Sequence, residues 1–119
     1  MKQRQSFGRA LINAFAGLRY FFQNERNAKI QAIIAIVTLL VALILKISIA
    51  EWIAIFLCIA SVLCLEMINS ALEALCDAGY PTHNDFIKIC KDIAAGAVLL
   101  ASIISVVIGL LIFIPKITG

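Results

Sequence analysis

Residues 66–97 read EMINSALEALCDAGYPTHNDFIKICKDIAAGA and hold five of the chain's seven acidic residues, together with its only histidine. The 119-residue chain around this stretch is strongly apolar, since 63% of all residues are hydrophobic and only 14% are charged. Carboxylates are costly in an apolar environment unless they are partnered. Their concentration in one stretch therefore indicates a functional site.

The spacing within this stretch places four polar side chains on one side of a helix. At about 100° per residue these side chains lie within an arc of roughly 80°, and we call them the polar stripe: Glu66, Asn69, Glu73 and Asp77. Carboxylates that share a helix face repel one another, so a positive group should face them. The segment that opens with Lys91 and Asp92 can supply this counter-charge. A simple solvated helix face would show the same pattern.

Three long apolar segments indicate the class of protein. The mean hydropathy of +1.04 is far above that of a soluble domain of this length, and apolar segments of about 20 residues are long enough to cross a bilayer. We therefore predict an all-α integral membrane protein with a single domain over residues 1–119. The predicted membrane helices cover residues 28–47, 52–76 and 93–114, and Pro115 is expected to end the last of them.

An amphipathic helix is predicted ahead of the first span, over residues 6–24. Ser6 is a typical N-cap residue, and apolar residues then recur with helical spacing from Phe7 to Phe22. Basic groups such as Arg9 lie off this apolar stripe. The pattern is typical of a helix that lies in the membrane interface, although a helix packed on the rest of the protein would show it too.

The distribution of basic residues predicts the orientation in the membrane. Lysines and arginines cluster on one side of the predicted spans: Lys2, Arg4, Arg9, Arg19, Arg26 and Lys29 before the first, and Lys88 and Lys91 before the third. Only Lys46 and Lys116 lie on the opposite side. Because positive residues are retained in the cytoplasm, we expect the N-terminus and the polar stripe on the cytoplasmic side.

The chemistry that fits these residues is Mg²⁺-dependent phosphoryl transfer. It needs oxygen ligands for the metal, a cation for the phosphates and a base for the attacking hydroxyl. Largely apolar sequence of about 21 Å rise precedes Glu66, so a base there could reach only a hydroxyl at the bilayer surface, as in a lipid alcohol. The sequence has no P-loop and no nucleic-acid-binding module, and its four cysteines have no metal-ligand spacing and are assigned to packing.

Four sequence segments carry a resemblance to a known family: EMINSALE at 66–73, Asp77, KDIAAGAVLL at 91–100 and NER at 24–26. They resemble the small bacterial membrane lipid kinases, the diacylglycerol kinase family that also contains undecaprenol kinase. The resemblance covers essentially the whole chain. It implies a homotrimer with active sites shared between neighbouring protomers, ATP and Mg²⁺ bound at the cytoplasmic surface, and a lipid hydroxyl that enters from the bilayer.

The resemblance also implies roles for individual residues. Glu66 would be the general base, Glu25 and Glu73 the metal ligands, and Lys91 the phosphate-binding cation. The implied nucleotide-binding residues are Glu25, Asn69, Glu73, Asp77, Lys91 and Asp92, and the implied lipid-binding residues are Glu66 and Arg19. One departure concerns the loop GYPTHND, where His83 lies one position away from the family's usual histidine. A nucleotide-binding role for His83 therefore does not carry over.

Two questions stay open at this level. NERN, the short link of residues 47–52 and the ending LIFIPK favour undecaprenol as the lipid, with diacylglycerol as the alternative. A small proton-coupled exporter would instead use Glu66 as a titrating group, but it would need a polar path through the far halves of the spans, where polar residues are sparse. A purely structural protein would leave the polar stripe unexplained.

Overall fold

The computed structural model describes residues 6–119, and this part of the chain folds into four α-helices with no β-strand. Lys2 and Arg4, two of the basic residues assigned to the cytoplasmic side, lie outside the described residues. The helices are α1 (Phe7–Asn24), α2 (Arg26–Leu45), α3 (Ile49–Gly79) and α4 (Asp85–Thr118). The all-α prediction is confirmed.

Helices α2, α3 and α4 are each long and apolar enough to cross a membrane, which confirms the membrane class. The 31 residues of α3 and the 34 residues of α4 correspond to roughly 46 and 51 Å. Both lengths exceed the hydrocarbon thickness of about 30 Å. These two helices therefore extend beyond the hydrocarbon core, and the polar half of α3 has room to reach the headgroup zone.

Local side-chain contacts determine where the long helices begin. Ser48 and Glu51 form a capping box, so α3 begins at Ile49, one turn before Trp52. Asn84 accepts hydrogen bonds from the N–H groups of the first turn of α4, which fixes that helix start at Asp85. As a result, Asp85 and the basic residues that follow it all belong to α4.

Pro115 does not end α4, contrary to the sequence prediction. A proline within a helix removes one N–H donor, and only one more turn of helix follows this position. That turn is held by the Thr118 hydroxyl, which donates to the Ile114 carbonyl at 2.9 Å, and by the Gly119 N–H, which donates to the Pro115 carbonyl at 2.9 Å. The remaining hydrogen bonds are sufficient to carry the helix to Thr118.

Two ion pairs connect the two ends of the antiparallel helices α3 and α4. Asp77 contacts Lys91 near one end of the pair, and Glu51 contacts Lys116 at 3.2 Å near the other. Between these pairs, a small core layer contains Ala42, Ile47, Ile55 and Ile112. Most other large apolar side chains of the spans are exposed on the outer surface, as expected for helices that face lipid. All four cysteines are free thiols, and Cys76 is buried.

Candidate active site

The polar stripe changes from buried to exposed along α3. Glu66 and Asn69 are the two buried polar side chains of the described residues, with 6% and 8% of their surface exposed, whereas Glu73 and Asp77 lie one and two turns further on and are exposed. The Asn69 amide Nδ2 donates to Glu73 Oε1 at 3.1 Å. This hydrogen bond connects the buried part of the stripe to its exposed part and holds the Glu73 carboxylate in place.

The other polar atom of Asn69 has no partner. Its Oδ1 is buried and forms no hydrogen bond within the part of the chain that the structure describes. A buried acceptor without a partner is unfavourable by about 1–3 kcal/mol. Because Nδ2 already faces a carboxylate, exchanging the two amide atoms would bring two oxygens together. Asn69 Oδ1 is thus available to a hydrogen-bond donor or to a cation.

Glu25 belongs to the same electrostatic environment although it is 41 positions from Glu66 in the sequence. It is the single residue between α1 and α2, has an extended backbone conformation and is half-buried. The negative charges of Glu73 and Glu25 both act on the Glu66 carboxylate. Glu66, at the buried end of the stripe, is therefore repelled by one carboxylate of its own helix and by one from the segment between α1 and α2.

Lys91 is the counter-charge that the sequence placed opposite the stripe. Its Nζ contacts Asp77 Oδ1 at 2.8 Å, across the interface between α3 and α4. The negative charge of Glu73 also attracts this ammonium group. The two side chains remain 36% and 69% exposed, respectively. Their contact contributes little to stability, but it positions an ammonium group beside the acidic residues.

Three other charged residues of interest have local partners or none. Asp92 accepts a hydrogen bond from Lys88 at 2.7 Å. The two residues are four positions apart on the same helix, a spacing at which side chains are neighbours. His83, in the segment between α3 and α4, contacts Asp85, the first residue of α4, at 2.7 Å, and both side chains are exposed. Arg19 is exposed on α1 and forms no ion pair within residues 6–119.

The donor set of the site suits a hard cation. Within the described residues, no three aspartate, glutamate, histidine or cysteine side chains converge as a preformed metal site. Carboxylates and an amide oxygen are nevertheless the ligand types that Mg²⁺ takes, and it usually keeps waters and substrate phosphates as its remaining ligands. Glu25, Glu73 and the unpartnered Asn69 Oδ1 are therefore of the ligand types that suit a metal arriving together with a phosphate compound.

The fold and the site define a class of protein. It is a helical membrane protein with an acidic site at the end of the long apolar segment of α3. The chain belongs to the prokaryotic diacylglycerol kinase family, whose sequence model matches residues 12–113. That range contains every site residue described above. The chain is therefore a membrane lipid kinase.

Two curated relatives agree with this family. An undecaprenol kinase from Bacillus subtilis is 38% identical over 110 residues, which covers 92% of this chain and 89% of that protein. A diacylglycerol kinase from Synechocystis sp. is 34% identical over 103 residues, which covers 86% of this chain and 59% of that protein. The recognition of the family from the segments around the polar stripe is thereby confirmed.

Proposed function

We propose that this lipid kinase transfers the terminal phosphoryl group of ATP to the hydroxyl of undecaprenol at the cytoplasmic surface of the membrane. The observation that carries the proposal is the burial of Glu66 beside two further carboxylates at the end of a long apolar helix segment. A carboxylate there can reach a hydroxyl held in the bilayer and remain close to a nucleotide in water.

Glu66 acts as the general base. It would accept the proton of the lipid hydroxyl as the oxygen attacks the phosphorus atom, a role that requires a carboxylate within hydrogen-bond reach of the alcohol. Burial limits its solvation by water, so its oxygens are free to accept a proton from a bound alcohol. Lys91 would contact the phosphates of the nucleotide, where its ammonium group offsets the charge of the transferred group.

Glu25, Glu73 and Asn69 would hold Mg²⁺ through oxygen atoms, with the nucleotide phosphates as further ligands. When bound, the metal neutralises phosphate charge and orients the donor. The Asn69–Glu73 hydrogen bond keeps one of these carboxylates oriented toward the site. Asp77 positions Lys91 through their contact at 2.8 Å, while Asp92 and Arg19 are proposed to contact the nucleotide and the lipid, respectively.

The surroundings of the site follow from the same proposal. The basic residues before the first and third spans support a cytoplasmic location of the site. The exposed Phe7 and Phe15 of α1 support a position of this helix in the membrane interface. By analogy with the family, three copies of the chain assemble into a homotrimer and share residues at their sites. The analogy is the support for this last point.

Undecaprenol is proposed as the alcohol because the relative named for it covers more of this chain, at higher identity, than the relative named for diacylglycerol. The test is phosphorylation by labelled ATP in lipid-containing micelles, with undecaprenol and diacylglycerol offered separately and the Glu66→Gln variant as the inactive control. Faster transfer to undecaprenol is expected. Faster transfer to diacylglycerol would keep the mechanism and overturn the substrate, and no transfer to either by folded protein with Mg²⁺ would overturn the proposal.

A further inference from the structure

The break between α1 and α2 places Glu25 between two buried side chains. Residues 7–20 of α1 are all exposed, whereas Phe21 near the end of this helix has only 5% of its surface exposed. Beyond the break, Ala28 in the first turn of α2 has no exposed surface. The two residues directly beside Glu25 are exposed. The segment is therefore fixed in the protein at Phe21 and Ala28, four positions before Glu25 and three positions after it.

The backbone of Glu25 takes part in the hydrogen bonds of both helices. Its N–H donates to the Phe21 carbonyl at 3.0 Å at the end of α1, and its carbonyl accepts from the Lys29 N–H at 3.4 Å at the start of α2. Glu25 itself is extended, with φ of −97° and ψ of 124°. The Asn24 amide donates to the Tyr20 carbonyl at 2.9 Å, which adds a side-chain contact to the last turn of α1. The place of Glu25 is thus defined by the ends of both helices.

The side chain of Glu25 is not used to cap the helix that it precedes. The other three helices begin with residues whose side chains accept a hydrogen bond from the first turn: Ser6, Ser48 and Asn84. Such capping stabilises a helix start. Glu25 occupies the same position before α2 but makes no capping hydrogen bond. Its carboxylate is left for another partner, and its charge acts on Glu66 at the polar stripe.

We infer, on the basis of the proposed function, that Phe21 and Ala28 are positioning residues that hold Glu25 beside the polar stripe, where it serves as a metal ligand. An extended residue between two helices belongs to neither helix lattice, so the direction of its side chain depends on where the adjacent helix ends are fixed. Phe21 fixes the end of α1, and Ala28 fixes the start of α2. Neither side chain has an oxygen atom for Mg²⁺, so both act through Glu25.

The geometry of Mg²⁺ makes the site sensitive to small shifts of Glu25. Mg²⁺ takes its ligands at about 2.0–2.1 Å in nearly octahedral geometry. Within residues 6–119 no three ligand side chains already converge, so Glu25 has to meet the metal together with Glu73 and the nucleotide. Residues that support a metal ligand change metal affinity about 10–100-fold when they are replaced. A looser seat for Phe21 should therefore weaken metal binding.

Two substitutions disturb the two supports in opposite ways. Phe21→Leu leaves unfilled space at a buried position, and Ala28→Leu adds volume where none is free. Ala28→Val is the smaller change should Ala28→Leu fail to fold. Phe15→Leu is the matched control for membrane contact, because it makes the same exchange at an exposed position of α1. Ile55→Val is the control for stability, since it loosens the core layer far from the break.

The first experiment reads metal binding without turnover. Mn²⁺ replaces Mg²⁺ because both prefer oxygen ligands, and EPR spectroscopy separates bound from free Mn²⁺ in micelles that contain a non-hydrolysable ATP analogue. Phe21→Leu and Ala28→Leu should each weaken Mn²⁺ binding about tenfold or more and leave the KM for undecaprenol within twofold. Phe15→Leu and Ile55→Val should bind Mn²⁺ as the wild type does. Unchanged binding in either folded variant of the break, or an equal loss in Ile55→Val, would overturn the inference.

A double-mutant cycle tests whether Phe21 acts through Glu25. Phe21→Leu added to Glu25→Gln should weaken Mn²⁺ binding no further, because the ligand that Phe21 positions is already lost. Additive losses would show that Phe21 affects the metal by another route and would overturn the inference. Wild-type Mn²⁺ binding in Glu25→Gln, or a wild-type protein that transfers no phosphate to any alcohol, would instead refute the proposed function.

Discussion

Replacement of Glu66 by glutamine should lower the rate of phosphoryl transfer and raise the stability of the folded protein. The amide keeps the size and shape of the side chain but cannot accept the hydroxyl proton, so phosphoryl transfer should fall. The same change removes a buried negative charge, 6% exposed, that is repelled by Glu73 and Glu25. The folded protein should therefore become more stable as it becomes inactive, as expected for a residue retained for function.

The magnitudes follow from the two roles of the side chain. A positioned general base contributes about 10²–10⁴-fold to the rate, so kcat should fall by that factor, which corresponds to about 2.7–5.5 kcal/mol of transition-state stabilisation. Relief of charge repulsion should add about 1 kcal/mol to the free energy of unfolding, within the usual range for improved charge placement. For a chain of 119 residues this corresponds to a Tm increase of about 3–5 °C.

The assay pairs initial rates with thermal unfolding in the same lipid–detergent micelles, and ATP affinity is measured by equilibrium binding. Glu51→Gln is the matched control, because it neutralises a glutamate of the same helix at the opposite end, where its partners are Ser48 and Lys116. It should keep the rate within about twofold and lower the Tm. A Glu66→Gln enzyme that retains a tenth of the rate, or that loses ATP affinity as much as rate, would refute the reasoning.

Further variants test the neighbouring residues. Glu73→Gln should raise the Mg²⁺ concentration for half-maximal rate about tenfold or more, and an unchanged Mg²⁺ titration would remove Glu73 from the metal site. Asn69→Ala deletes a hydrogen bond to a carboxylate, worth about 1.5–3 kcal/mol, so Mg²⁺·ATP affinity should fall about tenfold, and equal affinities would contradict this role. Exchange of Asp77 and Lys91 should leave the Tm nearly unchanged but should lower the activity to that of the Lys91→Met variant. Recovered activity in the exchanged protein would show that only the presence of the ion pair matters.

Much of the architecture could be predicted from the sequence because the membrane restricts the possible folds. A segment such as residues 30–45, with almost no polar side chain, can satisfy its backbone in hydrocarbon only as a helix. The shared helix face of the polar stripe could also be predicted, since side chains at i, i+3, i+7 and i+11 lie on one face of any regular helix. Lys91 could be assigned as the counter-charge because a short connection forces α3 and α4 to run side by side.

Other features depend on interhelical register, which periodicity does not contain. Periodicity does not predict that Gln31 and Ser102 lie level with Glu66, because that relation follows from how α2 and α4 pack on Ile55. The expected end of α4 at Pro115 was wrong because a single missing donor near a helix terminus is tolerated. The charge repulsion between Glu25 and Glu66 likewise depends on the break between α1 and α2.

The charge of the site predicts that nucleotide affinity and lipid affinity depend on different features of the protein. Within residues 6–119 the polar stripe has one ion-pair partner, Lys91, and Asp77 already holds it, so Glu25, Glu66 and Glu73 leave the site negative. A nucleotide is a polyanion and needs a dication between itself and these carboxylates, whereas an uncharged lipid alcohol does not. Nucleotide affinity should therefore respond to Mg²⁺ and to substitutions of Glu25 and Glu73, and lipid affinity should not, so nucleotide binding can be weakened without lipid binding.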